Sequence, residues 1–350
     1  MLGSRIKQAR LMRGFTLASL ADRIGITAQA VGKYEKELAT PRTETLMRLA
    51  HALDVTPEFL LRAPSPVEIQ PVFRKQRKTS AKQDKALVMW IKDWLERYLQ
   101  LENALSLDVC SNALPDGFPK KVASSDDIEE AATVLREEWK LGEDPIANLI
   151  SILEDRSFLM GEIANGSGFE ACTFEISSDG DRRAIAIRKN IPGDRQRLSI
   201  AHEIGHLALT VGPELDEEKA AFRFAAAFLV PKDVALRELR HRRSTLGDLT
   251  LLSLKHEYGM SMQAWIHRAC DLEVISPSKY MDLNIEFGRR GWRRQEPGPQ
   301  IESEHPRRFD HLVLWGVEEN LITRSRASEL LNEPFEAFLS RQRMQVGESF

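Results

Sequence analysis

His202, Glu203 and His206 stand in H-E-x-x-H order within Arg197-Leu-Ser-Ile-Ala-His-Glu-Ile-Gly-His-Leu-Ala-Leu209, a spacing that can build a zinc site. On a helix, residues four apart share one face on successive turns, so two imidazole nitrogens can reach a single tetrahedral zinc. Glu203 lies beside them, where a carboxylate can act as general base toward a water that the metal acidifies. Two histidines leave zinc short of a third protein ligand. Glu214 to Pro231 reads as one helix, opened by acids and closed by the proline. Glu218 shares a stripe with Ala221, Phe222, Ala225 and Leu229, whose small members would let that helix pack closely on the first. Glu214 shares the face less centrally, Glu217 falls with Phe224 and Phe228, and Asp216 points away. Any of these acids could equally complement the helix dipole, so helical spacing alone leaves the third ligand open among them.

Cleaving a peptide bond also needs a donor for the developing oxyanion, and Tyr258, His256, His267 and Arg268 all lie downstream in a helical region. His267, within Trp265-Ile-His-Arg268, is the first to test, although a lone helical histidine is more often structural.

The elements that must hold these groups fall into distinct stretches. With 350 residues, 42% hydrophobic and 29% charged, the chain can hold two or three cores. A formal net charge of -3 names no partner, so any nucleic-acid footprint must be local. Cys110, Cys172 and Cys270 are few, odd in number and widely spaced, which excludes a disulfide framework and a cysteine zinc cluster and fits a reducing cytoplasm. No apolar run approaches bilayer length, and a cytoplasmic protein without membrane contact is expected.

Residues 1–63 read as a compact helical unit with Thr16, Thr27, Thr43 and Thr56 as N-caps. Prolines and basic residues from Pro64 to about Lys85 read as a solvated linker. A long amphipathic helix from Leu87 to Leu105 completes the 64–120 segment, its aromatics placed for packing. Residues 121–300 begin with a helix capped near Ser125 and another opened by Asp144-Pro145 and running Ile146 to Leu153. Strand patterns follow around Phe158 to Ile163, Phe169 to Ile176 and Arg183 to Arg188, so the histidine helix belongs to an α+β domain. Residues 301–350 read as a helical C-terminal segment without a functional assignment.

The first unit has helix-turn-helix grammar: Thr16 to Gly25, a turn through Ile26, then Thr27-Ala-Gln-Ala-Val-Gly-Lys-Tyr-Glu35. Leu20, Ala21, Ile24, Ile26, Val31 and Tyr34 form its inward face, and Gly25 frees the turn. Thr27, Ala28, Gln29 and Lys33 then point outward. Gln29 can pair with adenine in a major groove, while Lys33, Arg42 and Thr43 can hold phosphates. A bundle using the same surface for a protein partner is the competing reading. A homodimer would raise the modest DNA affinity expected of a single copy.

The unit resembles the Xre/Cro-type repressor domain, including Tyr34-Glu-Lys36 and Pro41, and departs at Leu17-Ala18, where such domains often carry a glutamine that contacts phosphate. Asp194 to Leu209, with Glu218-Lys-Ala-Ala-Phe-Arg-Phe-Ala-Ala-Ala-Phe-Leu-Val-Pro231, Leu135 to Gly142 and Tyr258 to Met262, resembles the ImmA/IrrE family of metallopeptidases over roughly residues 120–300. That resemblance implies a gluzincin-like domain, one zinc ion and Glu218 as the third ligand.

Three functions follow as expectations. The first is a regulatory zinc endopeptidase fused to a DNA-binding domain, hydrolysing a peptide bond in a specific protein such as a repressor or antitoxin; the family resemblance supplies that substrate class. The second is a DNA-binding regulator or antitoxin-like protein whose zinc domain senses or scaffolds without proteolysis. Glu203 between two ligands speaks against it. The third, a structural zinc site, would close the fourth position with Cys or His, and none is spaced to do so.

Overall fold

A computed structural model describes residues 1–63, 69–71, 81–107, 114–164, 169–176, 182–241 and 246–346. Arg74, Lys75, Arg77, Lys78 and Cys110 lie outside the described residues. Five helices open the chain: α1 (Leu2–Met12), α2 (Leu17–Ile24), α3 (Ala28–Glu35), α4 (Thr43–Leu53) and α5 (Pro57–Leu61). Thr16, Thr27 and Thr56 each accept a backbone N–H as N-caps, and Gly25 ends α2 at φ 66°, a conformation that favours glycine. Thr43 does not cap α4. The cap position belongs to Arg42, without a side-chain bond, and Thr43 is the first helical residue. Leu20, Ala21, Ile24 and Val31 are buried in this unit's core, with Ile26 and Tyr34 packed against it.

Past this unit the stretch expected as a solvated linker contains β1 (Ile69–Pro71), and its last residues already belong to α6 (Ala81–Ala104). The backbone of β1 adds an antiparallel strand to a sheet edge, which an open tether would not do. Then come β2 (Lys120–Val122), α7 (Ser125–Glu138), α8 (Leu149–Asp155), β3 (Leu159–Ile163), β4 (Ala171–Ile176) and β5 (Arg182–Arg188). The sheet order is β1-β4-β5-β3, with β3 parallel and β4 antiparallel to β5. The helix expected from Ile146 starts later. The Ile146 and Ala147 carbonyls accept from the Arg197 guanidinium at 2.9 and 2.8 Å, and Asn148 caps the helix instead.

Helix α9 (Gly193–Ala208) runs into β6 (Leu209–Val211), which pairs in parallel with β2; α10 (Glu217–Leu229) follows. The remaining elements are α11 (Lys232–His241), α12 (Asp248–Tyr258), α13 (Met262–Asp271), α14 (Pro277–Arg289), α15 (Arg308–Glu318), α16 (Arg324–Leu331) and α17 (Phe335–Val346).

Strand alternation divides the interior in two. Met160, Ala171, Ile185 and Ile187 join the core that contains α7, α9, α10 and α13. Leu159, Cys172, Phe174, Ala184 and Ala186 face a second core made with α6 and the C-terminal helices, through Ile91, Leu95, Tyr98, Val313 and Leu330. The sheet is thus covered on both faces, and residues 308–338 supply part of the cover.

Helix α6 also carries the N-terminal unit. Arg5 is fully buried and gives its guanidinium to Glu96 at 2.5 Å, Gln8 at 2.7 Å and the Arg62 and Ala63 carbonyls at 3.1 and 2.8 Å. Arg62 pairs with Asp93, and the Trp90 indole N–H donates to the Met12 carbonyl at 3.1 Å. Burial pushes the Glu96 carboxyl up against the opposing pull of Arg5, so the pair depends on its satisfied geometry. Arg5→Ala should destabilise the chain by about 3–5 kcal/mol, because it strands a buried carboxylate, whereas Arg5→Met with Glu96→Leu should cost far less. Urea unfolding of the two variants measures the difference.

Candidate metal centre

Helix α9 is fixed before it reaches the histidines. The Gly193 N–H donates to the Ile301 carbonyl at 2.8 Å, and a Cβ there would lie 2.1 Å from the Glu302 carbonyl oxygen, so only glycine fits this approach. Gln196 exchanges two bonds with the Glu304 backbone, at 2.8 and 2.7 Å, and Arg197 pairs with the Glu304 carboxylate at 2.7 Å. Lys255, almost wholly buried, bridges Asp194 at 3.2 Å and Glu296 at 2.9 Å.

One turn past this anchor, His202 Nε2 and His206 Nε2 lie 3.1 Å apart, and Glu218 reaches them at 3.3 and 3.6 Å. Zinc bonds of about 2.0–2.1 Å in tetrahedral geometry place donor atoms about 3.3 Å from one another, so the three residues fit that ion. Among the described residues these three side chains form the group whose ligand atoms all lie within 4.8 Å of one another. Burial, with the His206 ring second, pushes the His202 imidazole down to about 3. The ring is therefore neutral at neutral pH, and its approach to Glu218 is the convergence of ligands rather than an ion pair. Phe222, half exposed, tilts against the His202 ring at 4.1 Å between centroids and restricts its rotation.

The other acids separate cleanly. Asp216 accepts the Lys219 N–H at 2.9 Å as N-cap of α10, so the helix begins at Glu217 rather than Glu214. Glu214 lines the cavity ahead of the helix but is outside the ligand group. Glu203 accepts the Thr173 hydroxyl at 2.8 Å, a contact that spans from α9 to β4. Sequence reading missed Thr173, which only the docking of β4 on α9 brings near.

A cavity of about 1220 Å³ holds the whole group and extends between Phe169, Leu198, Phe222, His267, Tyr280 and Trp292. His267 lines it, half exposed, with Nδ1 3.0 Å from Asp271; that hydrogen bond raises its pKa against the opposing effect of burial. The other candidates for an oxyanion donor lie elsewhere. Arg268 is fully buried in a two-pronged pair with Glu129 at 2.6 and 2.7 Å, Tyr258 is buried against Trp265, and His256 is exposed outside the cavity.

In the N-terminal unit, Thr27, Gln29, Lys33, Arg42 and Thr43 are exposed and Ala28 is half-buried against the core. The Thr27 hydroxyl accepts the Ala30 N–H at 3.2 Å, which starts α3 at the residues placed to meet a groove.

The chain joins a helix-turn-helix DNA-binding domain to a peptidase-like domain. Residues 6–60 match the helix-turn-helix family model, and residues 170–269 match that of the IrrE N-terminal-like domain. Two relatives come from Bacillus subtilis (strain 168). The SPbeta prophage-derived uncharacterized HTH-type transcriptional regulator YonR is 42% identical over 62 residues, 18% of this chain and 57% of that protein. The HTH-type transcriptional regulator ImmR is 33% identical over 60 residues, 17% of this chain and 47% of that protein. The chain spans about half the length of the relatives it matches. Among the described residues no helix is long and apolar enough to cross a membrane.

The two acids give a direct test of the ligand set. Glu218→Ala should weaken zinc binding by more than the ~10–100-fold that loss of an outer-shell partner costs, and Glu214→Ala should leave it unchanged. Zinc titration against a chromophoric chelator reads both.

Proposed function

We propose that this chain is a regulatory zinc endopeptidase that hydrolyses a peptide bond in a specific protein, such as a transcriptional repressor or antitoxin, and binds DNA through its N-terminal domain. The observation that carries the reading is Glu203 standing next to the His202, His206 and Glu218 cluster on the wall of an open cavity. A bound zinc ion would acidify water and polarise the scissile carbonyl.

The chain's own residues account for the rest. His202, His206 and Glu218 would hold the ion. Glu203 takes the proton of the attacking water and returns it to the leaving amine. The Thr173 hydroxyl fixes the rotation of that carboxylate, which a proton shuttle needs at both steps. His267, positioned by its hydrogen bond to Asp271, which raises its pKa, is the candidate donor to the oxyanion.

Helix α3 enters the DNA major groove, with Gln29 facing base edges near Thr27 and Ala28. Lys33, Arg42 and Thr43 meet phosphates, and a homodimer would present two such helices to paired half-sites. The names of the two relatives favour a second reading, a DNA-binding regulator whose zinc domain senses or scaffolds without cutting. The general base separates the two readings.

Glu203→Gln should lower hydrolysis of an internally quenched peptide pool by about 10²–10⁴-fold with zinc content unchanged. Equal turnover by wild type and Glu203→Gln would exclude the mechanism, and no turnover by the zinc-loaded wild type would favour the second reading. Thr173→Val should cost about tenfold in kcat with little change in KM, and Thr173→Ser should restore most of it. For the N-terminal domain, Lys33→Ala and Arg42→Ala should weaken duplex binding across sequences and flatten its salt dependence, whereas Gln29→Ala should relax base preference. Fluorescence anisotropy at several salt concentrations distinguishes these effects.

A further inference from the structure

Besides the acids at the start of α10, the cavity is lined by the turn that follows α14. Trp292, Arg293, Arg294, Gln295 and Glu296 all line it. This turn is tied down at both ends. At its start Trp292 packs edge-on against Phe287 at 5.2 Å, beneath the Arg290 guanidinium at 4.7 Å. At its end the Glu296 carboxylate accepts the Met262 and Gln263 N–H groups, each at 3.0 Å, and the Lys255 ammonium at 2.9 Å. Lys255 in turn reaches Asp194 at the start of α9, so the turn is fastened to the helix that carries the histidines.

The charges on this turn are unevenly matched. Arg290 is neutralised by Asp248 and Glu286. Arg293 donates to the Asn284 carbonyl at 2.9 Å, and among the described residues neither it nor Arg294 pairs with a carboxylate. Both are exposed. Of the arginines that line the cavity, Arg195 pairs with Glu170 and Arg223 with Glu129, which leaves Arg293 and Arg294 as those without a carboxylate partner among the described residues. A guanidinium without a carboxylate of its own suits a carboxylate side chain, which it can grip with two parallel bonds.

Resting on the peptidase reading, we propose that Arg293 and Arg294 form a specificity subsite for acidic residues, and that the protein segment cut by this chain carries Glu or Asp beside the scissile bond. A nucleic-acid strand could also meet arginines. It is disfavoured because a run of phosphates would have to pass the several carboxylates that also line this cavity, which one substrate carboxylate need not approach.

The test uses two internally quenched peptides differing only in Glu against Gln at the positions flanking the scissile bond. It adds fluorescein-labelled, non-quenched versions for binding to the uncut Glu203→Gln chain. The wild type should favour the Glu peptide by about five- to tenfold in kcat/KM, mostly through KM, and Glu203→Gln should bind it more tightly by a similar factor. Arg294→Gln should narrow the gap, and Arg293→Glu with Arg294→Glu should reverse it toward a Lys peptide. Circular dichroism and zinc content check that these variants fold.

Cleavage of both peptides at equal rates overturns the subsite and leaves the peptidase reading intact. Charge-selective, arginine-dependent binding without cleavage by the wild type supports the subsite and overturns the peptidase reading. Equal binding of both peptides overturns the subsite whatever the turnover. A labelled DNA duplex whose binding to the chain depends on Arg293 and Arg294, while that of the Glu peptide does not, assigns the arginines to nucleic acid and also overturns it.

Discussion

The crossing of α9 over α10 at Gly205 is the contact on which the candidate metal site depends. A Cβ at Gly205 would lie 3.0 Å from the Ala221 carbonyl oxygen and 3.2 Å from the Phe224 ring, closer than such atoms normally settle. Glycine inside a helix costs roughly 1 kcal/mol relative to alanine, and here that cost allows two helix backbones to touch. Their separation in turn determines whether Glu218, on the second helix, reaches the two histidines on the first. Widening the crossing would draw Glu218 away from the two histidines. Glu203, the proposed general base, is held by a contact outside this crossing, the hydroxyl of Thr173 on β4, so two separate packing contacts have to hold at once.

The anchoring of α9 extends well outside the stretch that carries its motif. Its first turn is held by the 301–304 backbone, its flank by the Ile146 and Ala147 carbonyls through Arg197, and its start by Lys255. A four-stranded sheet buried on both faces supplies the stiffness behind these bonds. Because α6 packs on that sheet and also receives Arg5 and Arg62 in buried ion pairs, the helix-turn-helix unit is seated on the same body as the metal site. Exposure of α3 follows from that seating, since α1 and α5 supply Arg5 and Arg62 at the joint while the residues at the start of α3 remain outward.

What could be read from the sequence was local and periodic. Residues four apart on a helix must share a face, so His202 and His206 were legible from spacing; strand alternation revealed β3, β4 and β5; threonines before apolar runs marked three of four N-caps. Glu218 was legible only in part. Spacing put it on the right stripe, but Asp216, Glu214 and Glu217 stood close by, and the family resemblance was needed to prefer one. The errors share a cause, which is competition from distant groups. Asp144-Pro145 looked like a helix start because nothing local revealed that Arg197 would claim the carbonyls of the first turn. The Pro64 to Lys85 stretch looked like a tether because pairing of Ile69–Pro71 with β4 joins positions about a hundred residues apart. Thr173, an unremarkable residue within a strand, could not be connected with Glu203 before that strand was docked.

A formal net charge of -3 also concealed how the charges are arranged. Acids and bases cancel in the sum, yet many are consumed in buried pairs, such as Arg268 with Glu129 and Arg182 with Glu102 at 2.9 Å, and these contribute nothing to the outer field. The charges left to act on a partner are the exposed ones. Among them are Lys33 and Arg42, outward at and near α3, and Arg293 and Arg294, which line the cavity. Screening confines each group's influence to about 10 Å, so the two surfaces act on their partners by local charge and the molecular total matters little. A near-neutral chain can therefore carry two strongly polar recognition surfaces, provided that its interior removes the remaining charges from solvent in pairs.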